Sequence, residues 1–209
     1  MRVTFHTFER VECLIIKKMQ TPDLKPTLWR TMRVLAHPRR LRLLAALFKD
    51  APLCVSDCAK CCQMPRVSTS VALRQLQARG LIRAERVSRW VRYRPVPDPL
   101  VAHAAAIDAA LRDALRPKTV DLSQTVKTIT AFTHERRIRI VHALAGGPLT
   151  MDELSATCHI SAPALIRHIN KLLRRKVVHR EAALVSLLPP ANPLAAALLA
   201  AMQADHTKH

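Results

Sequence analysis

Residues 52–82 read PLCVSDCAKCCQMPRVSTSVALRQLQARGLI, and residues 148–178 read PLTMDELSATCHISAPALIRHINKLLRRKVV. Laid over one another, the two stretches keep nearly every apolar position in phase, so that Cys58 falls on Leu154 and Cys62 on Cys158. The likeness extends both ways. Upstream, HPRRLRLLAAL (37–47) matches HERRIRIVHAL (134–144), and downstream Asp98-Pro99-Leu100 falls on Asn192-Pro193-Leu194. The chain therefore reads as two copies of a unit of about 95 residues. The expected division is an N-terminal tail over 1–22, a first unit over 23–118 and a second over 119–206.

Within a unit the apolar period is helical. Leu28, Met32 and Leu35 share one face of a first helix, as Leu122, Val126 and Ile129 do in the second copy. Leu41, Leu43, Leu44 and Leu47 make the buried side of the next helix. Thr150 followed by Glu153 fits a capping box for a short helix holding Leu154 and Cys158. After a brief break a longer basic helix runs from Val67 to Arg79, with Gly80 at its C′ position. Two short helices joined by a tight turn form a helix-turn-helix.

LIRAERVSRWVRYRP (81–95) places β-formers Val87, Trp90, Val91 and Tyr93 among recurring arginines, which predicts a β-hairpin wing. A closing helix is expected to open with Asp98 as N-cap and Pro99 at N1, and to carry Leu100, Ala104, Ile107, Leu111 and Leu115 as an apolar stripe. That stripe fits packing on its own domain and dimerisation equally. The fold class is mainly α with small β-wings: two tandem winged helix-turn-helix domains, each followed by a closing helix, the second with a shortened wing.

Composition agrees. With 49% hydrophobic residues in 209 the chain can bury a core, while three glycines and 3% aromatics argue against a sandwich or barrel. A net charge of +19 makes a polyanion the expected partner, nucleic acid ahead of an anionic membrane surface, because each neutralised phosphate releases condensed counterions. No run reaches the ~18 apolar residues of a membrane span. The N-terminal CLII is too short for a signal-peptide core, so the expected location is the cytoplasm, where thiols stay reduced. Met19 is an alternative start.

RVLAHPRRLRLLAAL, LCVSDCAKCC, STSVALRQLQARGLI and RWVRYRP, taken in that order, resemble the ArsR family of winged-helix repressors. The resemblance covers 23–115 well and 119–204 more loosely. It implies a dimeric DNA-binding regulator, often released from its operator by a metal, metalloid or thiol-oxidising signal. The tandem arrangement departs from the family pattern of single units that pair.

Nine Lys or Arg lie between residues 60 and 94 (Lys60, Arg66, Arg74, Arg79, Arg83, Arg86, Arg89, Arg92, Arg94) against one acid, Glu85. On a helix-turn-helix plus wing this is a phosphate-tracking surface. The N-terminal end of the second helix enters the major groove, which makes Arg66, Ser68, Thr69 and Ser70 the expected base-edge or groove contacts. Arg74 is expected on a phosphate, and Arg89, Arg92 and Arg94 are expected to share a face of the wing and meet the flanking backbone or minor groove. In the second copy the helix keeps Arg167, His168, Lys171, Arg174, Arg175 and Lys176, but the wing is two residues shorter and VVHREAALVSLLPP has lost the arginine ladder. The first unit is therefore expected to grip DNA, with the second as its weaker mate.

Four of six cysteines, Cys54, Cys58, Cys61 and Cys62, fall within residues 53–62, and thiolates bind soft metals well. The resemblance implies a metalloid site beginning at Cys54, but Ser56 stands at the second ligand position and Cys58 replaces Leu. The closing helix has His103 and Asp108 but no matching second His for the family's zinc arrangement. Because Cys58 aligns with Leu154 and Cys62 with Cys158, these two read first as core side chains. Sensing by some subset of the four with Cys54 and Cys61 is the other reading, with any metal unknown and Cys13 a further candidate from the tail. No cofactor is required on this reading, and a soft metal or metalloid ion is the one candidate. His37 and His134 share a repeat position, which suggests a structural role.

No Gly-rich phosphate loop, zinc-protease His pair or nucleophile elbow is present, so an enzyme is not expected. The function read from sequence is a sequence-specific double-stranded DNA-binding transcriptional regulator, a repressor by family analogy, acting as an intramolecular pseudo-dimer or a homodimer. The alternative is an architectural or replication-type tandem winged-helix protein without an inducer.

Overall fold

The computed structural model describes residues 27–101, 103–116 and 121–206, so the tail with Cys13 and Met19 lies outside the described residues. The chain runs α1 (Leu28–Leu35), α2 (Pro38–Asp50), β1 (Leu53–Cys54), α3 (Val55–Cys61), α4 (Arg66–Gln77), β2 (Arg83–Val87), β3 (Trp90–Arg94) and α5 (Ala104–Ala114). The same series follows as α6 (Leu122–Ala131), α7 (Glu135–Leu144), β4 (Leu149–Thr150), α8 (Met151–Cys158), α9 (Ala162–Arg174), β5 (Val178–Glu181), β6 (Leu184–Leu187) and α10 (Pro193–His206). Each sheet is antiparallel with the second hairpin strand in the middle, β1-β3-β2 and β4-β6-β5. The fold is mainly helical with small three-stranded wings.

Matching residues build matching corners. His37 and His134 cap α2 and α7, each ring Nδ1 accepting the N–H of the residue two further on, Arg39 and Arg136, at 3.2 Å. Burial, then the nearby arginines, lowers both imidazole pKa values, which keeps the accepting nitrogen free of a proton. The second arginine of each pair reaches back to the preceding helix. Arg40 Nε donates to the Val34 carbonyl, and Arg137 Nε to the Ala131 carbonyl at 2.6 Å, where a cation meets the negative end of the helix dipole.

The expected capping box is present: Thr150 N–H donates to Glu153 Oε2 at 2.7 Å, and Glu153 N–H to Thr150 Oγ1 at 3.2 Å. The first copy builds the same device from Cys54 and Asp57, with Cys54 N–H donating to Asp57 Oδ2 at 3.0 Å and the thiol accepting in return. Hydrogen bonds from Cys54 hold the Asp57 pKa below the usual carboxylate range.

The closing helix begins later than the sequence suggests. Asp98 caps only a turn, its Oδ1 accepting from Leu100 N–H at 2.9 Å, and Leu100 is 91% exposed rather than part of the stripe. The reason is Gly80: its carbonyl accepts from Asp98 N–H at 2.8 Å, which holds this turn against the end of α4 before α5 can start at Ala104. From there Ile107, Leu111 and Leu115 are buried. Their helix packs along α10, which buries Leu194, Leu198, Ala201 and Met202, while α1 packs on α6. A single apolar cluster thus runs from Leu28 to Met202 through both halves. Two polar contacts tie α5 and its cap to their own half: His103 Nε2 lies 3.1 Å from Thr31 Oγ1, and Arg112, paired within the helix to Asp108 at 2.7 Å, donates to the Pro95 carbonyl at 2.8 Å.

Candidate nucleic-acid interface

α3 and α4 are set by their buried sides. Cys58 and Ala59 on α3, and Thr69, Ala72, Leu73 and Leu76 on α4, face the core. Between the helices Gln63 turns through the left-handed region (φ 52°), and Met64 N–H reaches the Ala59 carbonyl at 2.9 Å. His159 (φ 50°) and Ile160 repeat that geometry between α8 and α9, with Ile160 N–H on the Ser155 carbonyl at 3.2 Å.

This arrangement sorts the expected contacts. Arg66 and Ser68 stand exposed at the start of α4, and Ser70 is half-buried. Thr69 is a correction: it is fully buried and its hydroxyl donates to the Pro65 carbonyl at 3.0 Å, so it secures the first turn of α4 instead of meeting a base. Arg74 is half-buried, its Nε donating to the Ser70 carbonyl at 3.4 Å. Exposed Val67 and Val71, which the sequence reading passed over, complete the outer face.

The wing differs from expectation in one respect. Arg89 lies in the turn between β2 and β3, not on the strand, so the period-two alternation places only Arg92 and Arg94 together, alongside Trp90. Arg89 rejoins that group by folding over the Trp90 ring, 5.4 Å from its centroid. Across the hairpin, Val87 faces Trp90, Glu85 faces Arg92 and Arg83 faces Arg94. Arg94 Nε bonds Glu85 at 3.1 Å, so part of its charge is already answered, while exposed Arg83, absent from the expected contact set, adds to the same face. Arg92 is half-buried and its Nη1 lies 3.5 Å from the Pro52 carbonyl, fixing the wing to the loop before α3.

Among the cysteines, Cys58 is fully buried, and burial pushes its thiol up to about 12. Cys62 is half-buried against the core and, through burial and the Cys61 hydrogen bond, is also raised to about 12. Cys61 is exposed, with its Sγ 3.7 Å from that of Cys62. Cys54 and Cys61 sit at opposite ends of α3, about 10 Å apart along its axis. No group of three or more His, Cys, Asp or Glu that could hold a metal ion occurs among the described residues.

A helix-turn-helix closed by a three-stranded basic wing defines a winged-helix protein, the class to which α3, α4 and their sheet belong. Within it, residues 134–179, from the start of α7 to β5, match the family of bacterial regulatory proteins known as the arsR family. Residues 134–179 are thus similar to an ArsR-type winged helix, although the resemblance read from the sequence is stronger in the first half. No curated protein matches the chain. No described helix is long and apolar enough to cross a membrane.

Proposed function

We propose that the chain is a duplication of one winged-helix unit and acts as a cytoplasmic, sequence-specific, double-stranded DNA-binding transcriptional repressor. The first unit grips DNA through the N-terminal half of α4 and the β2–β3 wing. The second unit is its intramolecular mate. The observation that carries this reading is the contrast between two otherwise matching surfaces. The first presents exposed Arg66 and Ser68 beside a wing bearing Arg83, Arg89, Arg92 and Arg94; the second has Ala162 and Ala164 at the matching places and keeps Arg167, Lys171 and Arg174 on its helix, but its wing, Val178-His179-Arg180-Glu181 and Leu184-Val185-Ser186-Leu187, bears a single arginine. Phosphate contacts set register, and only groups at the groove floor read sequence. Both are present on the first unit.

The test is footprinting of the full chain across a genome at physiological salt. Protection of discrete sites, including its own promoter region, supports a regulator. Uniform coating that fades with salt supports the architectural alternative, which the charge of +19 alone would explain.

The Cys61–Cys62 contact favours a sensing role as a second reading. Two adjacent thiols 3.7 Å apart offer a soft metal or metalloid ion two sulfur ligands at the end of α3, directly before the turn into α4. Release of the chain from bound DNA by a soft ion, abolished in Cys61→Ser, supports it, and unchanged binding with the ion present refutes it.

A further inference from the structure

Of the eight exposed large apolar side chains among the described residues, six lie on α4, α9 or the wings: Val67 and Val71 on α4, Val87 and Trp90 on the first wing, Ile166 on α9 and Leu184 on the second wing. Single exposed hydrophobes are ordinary, but four of them on the helix and wing of the first unit are not. Val67 (77% exposed) and Val71 (42% exposed) stand out because they share one outer face of α4, one turn apart, opposite buried Thr69, Leu73 and Leu76.

We propose that Val67 and Val71 are specificity residues that pack on thymine C5-methyl groups in the major groove, an inference that rests on the DNA-binding reading above. A valine cannot hydrogen-bond a phosphate or a polar base edge. It can exclude water from an apolar group, and the thymine methyl is the apolar group that the major groove displays. Val67 is the second residue of α4, at the end that enters the groove, and Arg66 and Arg74 on the same helix favour a polyanion over a protein as the occupant. Residues four apart on a helix lie ~6 Å from one another, so the pair reaches methyls about two base steps apart at ~3.4 Å per step. The second unit has no equivalent pair, because Pro163 and Arg167 occupy the matching places. Thymine reading therefore belongs to the half of the site under the first unit.

The experiment starts from duplexes selected out of a random library by the full chain. Each thymine is then replaced by deoxyuridine, which removes only the methyl. For the unmodified chain one or two replacements should weaken binding by about fourfold each, the loss expected for one buried carbon. Val67→Ala should bind the thymine duplex about as weakly as the native chain binds the uracil duplex, and should no longer distinguish the two. Both valines are exposed, so these variants should melt at the native temperature, which circular dichroism checks. Selective binding with no sensitivity to any methyl overturns this inference and leaves the DNA-binding reading standing. Equal losses on both duplexes for Val67→Ala also overturn it. Failure to bind any duplex overturns both.

Discussion

Gly80 and Lys176 occupy the same backbone position at the ends of α4 and α9, both in the left-handed region, with φ of +67° and +55°. Each closes its helix with the same two bonds: Gly80 N–H to the Gln77 carbonyl and Leu81 N–H to Leu76, then Lys176 N–H to Leu173 and Val177 N–H to Leu172. Glycine is required only in the first. A Cβ there would lie 2.8 Å from Val101 Cγ2 and 2.9 Å from Asp98 Cβ, whereas Lys176 is exposed. Gly80→Ala should therefore cost about 2 kcal/mol or more, and Lys176→Gly should stabilise by about 0.5–1 kcal/mol by relieving left-handed strain. Urea unfolding of the two variants measures both signs.

Buried Cys58 and exposed Cys61 should behave as different residues. Cys58→Ser places a hydroxyl in an apolar site and is expected to cost about 1–3 kcal/mol, while Cys61→Ser should stay within about 0.5 kcal/mol of the native chain. Alkylation of the folded protein near pH 8 should spare Cys58, whose thiol burial pushes up to about 12, and modify Cys61. Mass spectrometry of the labelled peptides decides the matter.

The likeness between residues 52–82 and 148–178 made most of the fold legible from sequence, because each assignment in one stretch is tested by its counterpart in the other. Cys58 reads as core once Leu154 stands in its place, and both are fully buried. What the sequence hid was local geometry. The turn at Asp98 satisfies the rules for a helix start, yet its bond to the Gly80 carbonyl, a contact distant in sequence, diverts it. Arg89 stands three residues before Arg92, so period two alone separates their faces, and Ser88 at φ 56° places Arg89 in the turn besides. Thr69 reads as a polar surface residue, but its hydroxyl is satisfied within its own helix turn and is then free to be buried.

His134 and His168 lie ring to ring, 4.6 Å between centroids, and this pair should make stability depend on mild acid. Burial, then His134 and Arg137, Arg136 and Arg167, lower His168 from 6.5 to about 4. His134 is lowered by burial first and then by Arg137, Arg136 and Arg33, against a smaller opposite effect of Glu135. In the unfolded chain both histidines take up a proton near pH 6.5, and in the folded chain His168 does so only near pH 4. Between those values the unfolded state binds more protons, so stability is full above about pH 7 and falls as the pH drops toward 4. His168→Gln should flatten the fall in Tm between about pH 7 and about pH 4.5, as read by calorimetry. An unchanged slope would show that other groups carry it.

Wing charge should set the salt dependence of DNA binding. Arg89 and Arg92 replaced together by alanine should reduce the slope of log K against log salt by up to about 2, about 0.9 for each phosphate no longer neutralised. Arg94→Ala should change it less, because Glu85 at 3.1 Å already shares that charge. Arg174 and Arg175 replaced together should have the smaller effect, since the wing beside them lacks an arginine ladder. Titrations by fluorescence anisotropy at several salt concentrations compare the two pairs, and equal slopes would remove the asymmetry between the units.

The pairing of α5 with α10 leads to an expectation about the operator itself. In a dimer of identical units the closing helices would meet across a two-fold axis, and the DNA site would be a palindrome. Here the stripe of Ile107, Leu111 and Leu115 is used within the chain, against the helix that buries Leu194, Leu198 and Met202. The two reading helices that result are not alike. Arg66, Val67, Ser68 and Val71 of α4 stand where α9 has Ala162, Pro163, Ala164 and Arg167. One chain of 23.4 kDa should therefore suffice for a whole site, and the site should lack two-fold symmetry, its stronger half lying under α4. Sedimentation at micromolar concentration should give the mass of a single chain, free and with one duplex added. Ile107→Asp, which puts a charge into the α5–α10 contact, should cost about 3 kcal/mol or more of stability and weaken binding to the full site. A palindromic consensus bound by two chains would mean instead that α4 of one molecule reads beside α4 of another, and the second unit would then have to hold the two molecules together.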